Sequence, residues 1–260
     1  MWSNIFTDCC LTDNSTLPAQ LYLEVLPKKN WFINDTTDEI HFKHSSSDTL
    51  RRISIERHDL SGTLNQQAEG YHGSFTVNAD GPEALTVLIR TCLSFLCEDS
   101  SEILLHASAV KRNGHYWVFC GPSGSGKSTI AVDLRGDGRT MSIDRVVLWL
   151  GKDNRVRGRS TPFSDTMGLA DAKQICVVAG IFHIEQGKET EIGTMTPYEA
   201  TRSLLPQVLA FSRSPDRVRQ LMETVGSISE SGLNYRLRFT KDELFWKKID
   251  RLNAGDGSGK

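Results

Sequence analysis

Nine consecutive residues, Gly121-Pro122-Ser123-Gly124-Ser125-Gly126-Lys127-Ser128-Thr129, fill the pattern G-x-x-x-x-G-K-[ST] without a gap. Each residue type has a physical use at its place. Glycines let successive backbone N–H groups turn inward and approach phosphate oxygens, and a helix beginning at the end of the loop adds partial positive charge. A lysine at position 127 reaches the β- and γ-phosphates of a nucleoside triphosphate, and the Ser128 hydroxyl is a ligand for Mg²⁺. Such a pattern informs only in context. Here the apolar run HYWVFC leads directly into it, and Ser128 to Leu134 reads as helix. The segment therefore predicts binding of ATP with Mg²⁺.

A phosphate loop supplies no group to take a proton from an attacking hydroxyl or to hold the far side of a metal, so a carboxylate is needed nearby. Asp144 is the candidate, because it follows the short strand RTMSI that comes after the loop's helix. The competing reading is a turn aspartate at the surface. Asp133 and Asp137 suit the role less, lying on the helix or in its exit beside Gly136 and Gly138. Upstream, Asn113-Gly114 is the favoured pair for a two-residue type I′ hairpin turn. That turn sets Arg112 opposite His115, and stepping away from it brings His106 opposite Gly121, the first glycine of the loop. His106 is then either a proton-handling or phosphate-contacting residue or a satisfied strand histidine. Asp144, His106 and Lys127 form the candidate catalytic set.

Other residues are weaker candidates. His41 and His44 are three apart, with no cysteine or carboxylate nearby to complete a zinc pattern, and read as an exposed pair. Arg157 and Arg159, in VRGRSTPFSD, either contact a transferred phosphate or are plain solvated arginines of a loop. Asp165 in that stretch is a second metal-side carboxylate or a surface aspartate. SGTLNQQ, from Ser61, superficially matches the signature of ATP-binding cassettes but precedes the loop and lacks the helical context.

The stretch LLHASAVKRNGHYWVFCGPSGSGKSTIAVDLRGDGRTMSIDRVVLWL resembles the catalytic domain of the bacterial HPr kinase/phosphorylase family. It is closer to the looser group of HPr-kinase-like proteins that includes kinases tailoring lasso-peptide precursors. That group shares its nucleotide fold with phosphoenolpyruvate carboxykinase. The resemblance implies a mixed-sheet kinase domain, a His at 106 with the family's spacing to Gly121, and the loop lysine and Mg²⁺-binding serine at Lys127 and Ser128. It implies that Asp144, the second of the family's paired aspartates, is the proton acceptor for the substrate hydroxyl. Ile143 stands where the first aspartate would be, and the signature that marks true HPr kinases is not visible, so neither HPr as substrate nor the phosphorylase reaction is carried over. GIFHIEQGKETEIGTMTPYEATRSLLPQVL and the terminal YRLRFTKDELFW resemble the group less specifically.

These residues need elements to place them. Residues 1–80 read as a β-rich region, with strands expected over Gln20 to Leu26, Trp31 to Asn34, Glu39 to Phe42, Leu50 to His58 and Ser74 to Val77. Pro82 opens an amphipathic helix, marked by Leu85, Leu88, Ile89, Cys92, Leu93 and Leu96 at three- and four-residue spacing. The α/β domain is placed at 81–252, with strands at Ile103 to Val110, Arg139 to Ile143, Val146 to Leu150, Gln174 to Glu185 and Asn234 to Phe239. Helices are expected from Pro197 to about Ala210, from Pro215, and over Asp242 to Leu252, with a disordered tail at 253–260. The strand before the loop should have an antiparallel neighbour, unlike a doubly wound parallel sheet.

Bulk composition excludes more than it assigns. The chain's 30 Lys+Arg against 32 Asp+Glu leave a net charge of −2, which provides no field to gather nucleic acid or anionic lipid. Its longest apolar runs fall far short of the roughly 18 residues a membrane span needs, so a cytoplasmic protein is expected. The six cysteines show no CxxC spacing and read as free thiols. An oligomer of the chain is left open. The reading favoured is an ATP-dependent kinase acting on a hydroxyl of a peptide, protein or small metabolite, and the alternative is a non-catalytic ATP-binding regulatory module, which Ile143 favours.

Overall fold

Alternating apolar residues in the N-terminal region build a mixed sheet of β1 (Gln20–Lys28), β2 (His41–Ser47), β3 (Leu50–Arg57), β4 (Leu60–Gln67) and β5 (Gly70–Asn78). The strands lie in the order β1-β5-β4-β3-β2, with β1 parallel to β5 and the other pairs antiparallel. The computed structural model describes residues 20–28, 40–47, 50–67, 70–78, 82–134, 136–161, 174–211, 214–240 and 244–255. The expected strand at Trp31 to Asn34 lies outside these, as do Asp165 and residues 256–260 of the tail. Ile53, Ile55, Leu64, Tyr71 and Phe75 are buried, and α1 (Pro82–Asp99) buries Ala84, Leu88, Cys92 and Phe95 on one stripe. Phe95 meets Phe42 of β2 edge-on, with ring centroids 6.0 Å apart.

Two compact units result, residues 1–96 and 97–260. The division falls inside the last turns of α1, not near residue 80 ahead of it as the sequence reading places it, and Phe95 of this helix meets Phe42 of the first sheet.

In the second unit the hairpin of β6 (Ile103–Arg112) and β7 (His115–Cys120) leads through the glycine-rich loop into α2 (Lys127–Val132). There follow β8 (Arg139–Ser142), β9 (Arg145–Leu150), β10 (Val156–Ser160), β11 (Cys176–Gln186), β12 (Glu191–Thr194), α3 (Pro197–Leu204), α4 (Pro215–Ser229), β13 (Asn234–Phe239) and α5 (Leu244–Gly255). The sheet runs β10-β9-β6-β7-β11-β13-β12, with β8 also beside β6 and a further pairing of β10 with β11. β7, which carries the loop, lies between antiparallel β6 and parallel β11. The sheet is thus mixed, as the hairpin requires.

Helices cover both faces of this sheet. Leu105, Val118, Leu148 and Val178 pack with Leu204 of α3 and with Val225 and Ile228 of α4. On the other face Val110, Phe119 and Phe182 pack with Ile130 of α2 and with Phe245, Trp246 and Ile249 of α5. Phe119 stacks on Phe182 at 5.4 Å and meets Trp246 edge-on at 5.8 Å. Burying each such ring is worth roughly 1.5–3 kcal/mol, so the strand leading to the loop is among the most firmly held parts of the unit.

Three strands escape the sequence reading. β4 overlaps SGTLNQQ, whose sequence carries no strand signal, β10 reads as a loop, and β12 is a short edge strand with one half-buried apolar residue, Ile192. The helix expected to reach Ala210 stops at Leu204 and tightens into a 3₁₀ turn at Leu205–Gln207, where Pro206 removes an amide donor. The terminal helix instead continues past Leu252 to Gly255. Among the described residues no helix is long and apolar enough to cross a membrane.

Candidate active site

The β6–β7 turn has positive φ at both Asn113 (52°) and Gly114 (78°), as a type I′ turn requires. From it the register runs without a bulge from Arg112 opposite His115 to Ala107 opposite Cys120. The ladder ends there because Gly121 leaves the strand, so His106 does not form the expected pair with Gly121. On its other side His106 pairs with Arg145 of β9, and Ala107 N–H donates to the Asp144 carbonyl at 3.1 Å. The turn between β8 and β9 is thereby fixed against the end of β6.

The loop folds tightly. Gly126 has φ 106°, and a Cβ there would stand 2.7 Å from the Phe239 ring at the end of β13. Only glycine meets both conditions. Pro122, Ser123, Gly124 and Ser128 are exposed, Thr129 is half-buried, and Gly121, Ser125 and Lys127 are buried. Lys127 Nζ donates to the carbonyls of Gly121 (2.8 Å) and Pro122 (2.9 Å), while the Lys127 carbonyl accepts from Ser108 Oγ of β6 at 2.8 Å. The Ser125 hydroxyl is buried without a hydrogen-bond partner among the described residues. A loop with a buried lysine and an unsatisfied hydroxyl holds donors suited to an oxyanion.

Asp144 and His106 meet beside this loop. His106 Nε2 is 3.7 Å from Asp144 Oδ1, with the two side chains about one-third and one-quarter exposed. Asp144 Oδ1 also accepts from Arg145 Nη1 at 2.6 Å. Lys127 belongs to the same electrostatic group. Burial holds its ammonium below the usual lysine range, the Arg145 charge adds to that, and Cys120 and Asp144 oppose it. The structure thus brings together His106, Lys127 and Asp144, three residues from β6, the loop and the β8–β9 turn.

The remaining candidates lie elsewhere. Arg157 and Arg159 are strand residues of β10, not loop residues. Arg157 pairs with Asp153 at 2.8 Å, while Arg159 is buried, pairs with Glu102 at 2.5 Å and lies over the Trp149 ring. Asp137 pairs with Arg112 at 2.6 Å, and Asp133 caps α2 from an exposed position. His41 is exposed on β2, and His44 is on the same strand. Ile143 packs against the apolar cluster of α2 and α5, so of the two residues 143 and 144 only Asp144 is directed to the site.

Neither a family model nor a curated protein matches the chain. Among solved structures, the HPr(Ser) kinase/phosphatase from Coxiella burnetii is similar over 60% of this chain and 99% of its own, at 12% identity and a TM-score of 0.36. Two backbones related at that score do not superpose closely enough to transfer residues or chemistry.

The sequence reading missed two features of the site. Arg145 gives no signal in the sequence, because an arginine next to an aspartate reads as surface charge until its direction is known. The other is a buried polar node behind the loop. His183 of β11 pairs across the sheet with Cys120, the residue before Gly121. Asn234 Nδ2 donates to the carbonyls of Ile228 and Ser229, which leaves its Oδ1 to accept from His183 Nε2 at 3.0 Å. His183 Nδ1 therefore accepts, from Ser203 Oγ at 2.7 Å, with the Cys120 sulfur 3.6 Å from the same nitrogen. Burial pushes that thiol up to about 12 and holds the His183 imidazolium below the usual histidine range. The node is neutral and ties β7 and β11 to α3 and α4.

Proposed function

We propose that the second unit transfers the γ-phosphoryl group of ATP to a hydroxyl of a peptide, protein or small metabolite. The observation that carries this reading is the position of Asp144, a partly exposed carboxylate 3.7 Å from His106 and within electrostatic reach of the lysine of the glycine-rich loop. Such transfer requires positioning and charge more than covalent chemistry from the protein. The loop's backbone N–H groups, Lys127 and the Ser125 hydroxyl bind the phosphates. A bond forms between the acceptor oxygen and the γ-phosphorus while the bond from that phosphorus to the β–γ bridging oxygen breaks. The electron pair leaves with ADP, and the hydroxyl proton passes to Asp144. His106, against the same carboxylate, orients it and helps to neutralise charge.

No set of three His, Cys, Asp or Glu among the described residues could hold a metal by itself. Mg²⁺ seldom asks for one, because phosphate oxygens and water complete its octahedron beside one or two protein oxygens. The Ser128 hydroxyl, exposed at the start of α2, and the Asp144 carboxylate are the oxygens this chain offers, and they fit that role. Bound there, the ion would neutralise charge on the phosphates.

Calorimetry with Mg·ATP on the full chain and on Lys127→Ala tests the reading. Removing the lysine deletes a charge-assisted contact worth about 1.5–3 kcal/mol, so affinity should fall by roughly 10- to 100-fold. Equal affinities would remove the loop from the mechanism. Binding without transfer to any hydroxyl in an unbiased acceptor screen would favour the regulatory module instead.

A further inference from the structure

Arg145 is held from several directions. It pairs with His106 across β6 and β9, and its carbonyl oxygen accepts from both Ser142 Oγ (2.6 Å) and Thr161 Oγ1 (3.0 Å). A backbone fixed in this way sends its side chain in one direction. The guanidinium, 14% exposed, donates through Nη1 to Asp144 Oδ1 at 2.6 Å and to the Asp144 carbonyl at 3.0 Å. Its charge is felt at Lys127. A permanent cation and a histidine thus meet on one carboxylate, within electrostatic reach of the lysine of the glycine-rich loop.

Other arginines of this unit show what a scaffolding role looks like. Arg112 joins β6 to Asp137 beyond α2 and to Asp250 of α5, and Arg159 joins β10 to Glu102 ahead of β6. The Arg145–Asp144 pair instead links chain neighbours. The Arg145 charge disfavours the Lys127 ammonium, and a polyanion bound at the loop would relieve that repulsion. A guanidinium presents a planar fork of donors that matches phosphate oxygens two at a time. Because Ile143 is turned into the apolar cluster, the β8–β9 turn offers the loop one carboxylate and one guanidinium.

We infer that Arg145 is a further catalytic residue of this site, whose guanidinium contacts the γ-phosphoryl group of the bound nucleotide and neutralises charge there during transfer. This rests on the kinase reading above. When the triphosphate arrives, the guanidinium turns from Asp144 to the phosphoryl oxygens, which leaves the carboxylate open to the acceptor hydroxyl.

The experiment needs no acceptor. The full chain, Arg145→Met and Arg145→Lys are titrated with the magnesium complexes of ADP and of a non-hydrolysable ATP analogue. A contact made only to the γ-phosphoryl group predicts a fall of roughly 10- to 100-fold in analogue affinity for Arg145→Met, with ADP affinity unchanged within about twofold. Arg145→Lys keeps the charge without the fork and should lose less of the analogue affinity. A merely structural arginine would not discriminate between the two nucleotides. Parallel losses for both, or no loss for either, in both variants would overturn the inference while leaving nucleotide binding intact. A parent protein that binds neither nucleotide would instead bring down the kinase reading, and Arg145's role with it.

Discussion

Replacing Gly126 by alanine attacks the loop through a single methyl group. At φ 106° and ψ 10° the backbone lies in the left-handed region, where a Cβ costs roughly 1–2 kcal/mol. The same Cβ would sit 2.7 Å from the Phe239 ring, which is buried among Phe245 and its neighbours and has little room to yield. Overpacking of that kind costs roughly 1–3 kcal/mol. Together the two effects should destabilise the second unit by roughly 2–5 kcal/mol, a fall in Tm of about 4–20 °C for a domain of this size. Thermal unfolding followed by near-ultraviolet circular dichroism reads that shift, and Mg·ATP calorimetry reports whether the loop still binds. Phe239→Leu in the Gly126→Ala background separates the causes. It should recover the overpacking share, seen as a coupling energy of roughly 1–3 kcal/mol in the double-mutant cycle, but not the backbone share. A Gly126→Ala protein that unfolds with the parent and binds nucleotide equally would refute the steric argument.

Asp144→Asn keeps an oxygen for Arg145 but cannot accept the hydroxyl proton, so transfer should fall by about 10²- to 10⁴-fold, measured as phosphorylated acceptor against time. Loss of Mg·ATP affinity in the same variant would show that Asp144 also serves the metal, and full activity would remove it from catalysis. His183 supplies a pH dependence of stability. Its folded pKa is depressed by burial, so unfolding takes up a proton as pH falls through the unfolded value of 6.5, and stability declines below that point. One proton sets a slope of up to about 1.4 kcal/mol per pH unit, and His183→Gln, which retains an amide donor for Asn234, should lack that component in urea titrations between pH 5 and pH 8. An unchanged difference between parent and variant across that range would show that His183 is not held neutral.

What could be seen in the sequence was governed by distance along the chain. The Asn113-Gly114 turn fixes the β6–β7 register locally, and the glycine pattern fixes the loop, so His106, Lys127 and Asp144 could all be named before any coordinates. The one-pair shortfall at His106 could not, because it depends on where Gly121 departs. Parallel pairings were equally hidden, since β7 finds β11, and β11 finds β13, only across long intervening segments. The polar strands β4 and β10 gain their identity from partners, with Arg159 buried only because Glu102 is there to receive it. Hydrophobic periodicity found the buried stripe of α1 but not the contact of Phe95 with the first sheet, and the boundary falls at residue 96.

The hairpin and the turn that follows it place the whole candidate site within the single stretch from His106 to Arg145. The contacts of Ala107 with Asp144, Ser108 with Lys127 and His106 with Arg145 each close a chain loop of at most a few dozen residues. Short closures carry a small entropy penalty and form quickly, whereas the parallel strands that flank them must wait for longer ones. These contacts should therefore form early in folding, ahead of the pairings with β11 and β13 and the docking of the covering helices. Substitutions within 106–145 should accordingly slow folding, and those in β13 or α5 should mainly hasten unfolding.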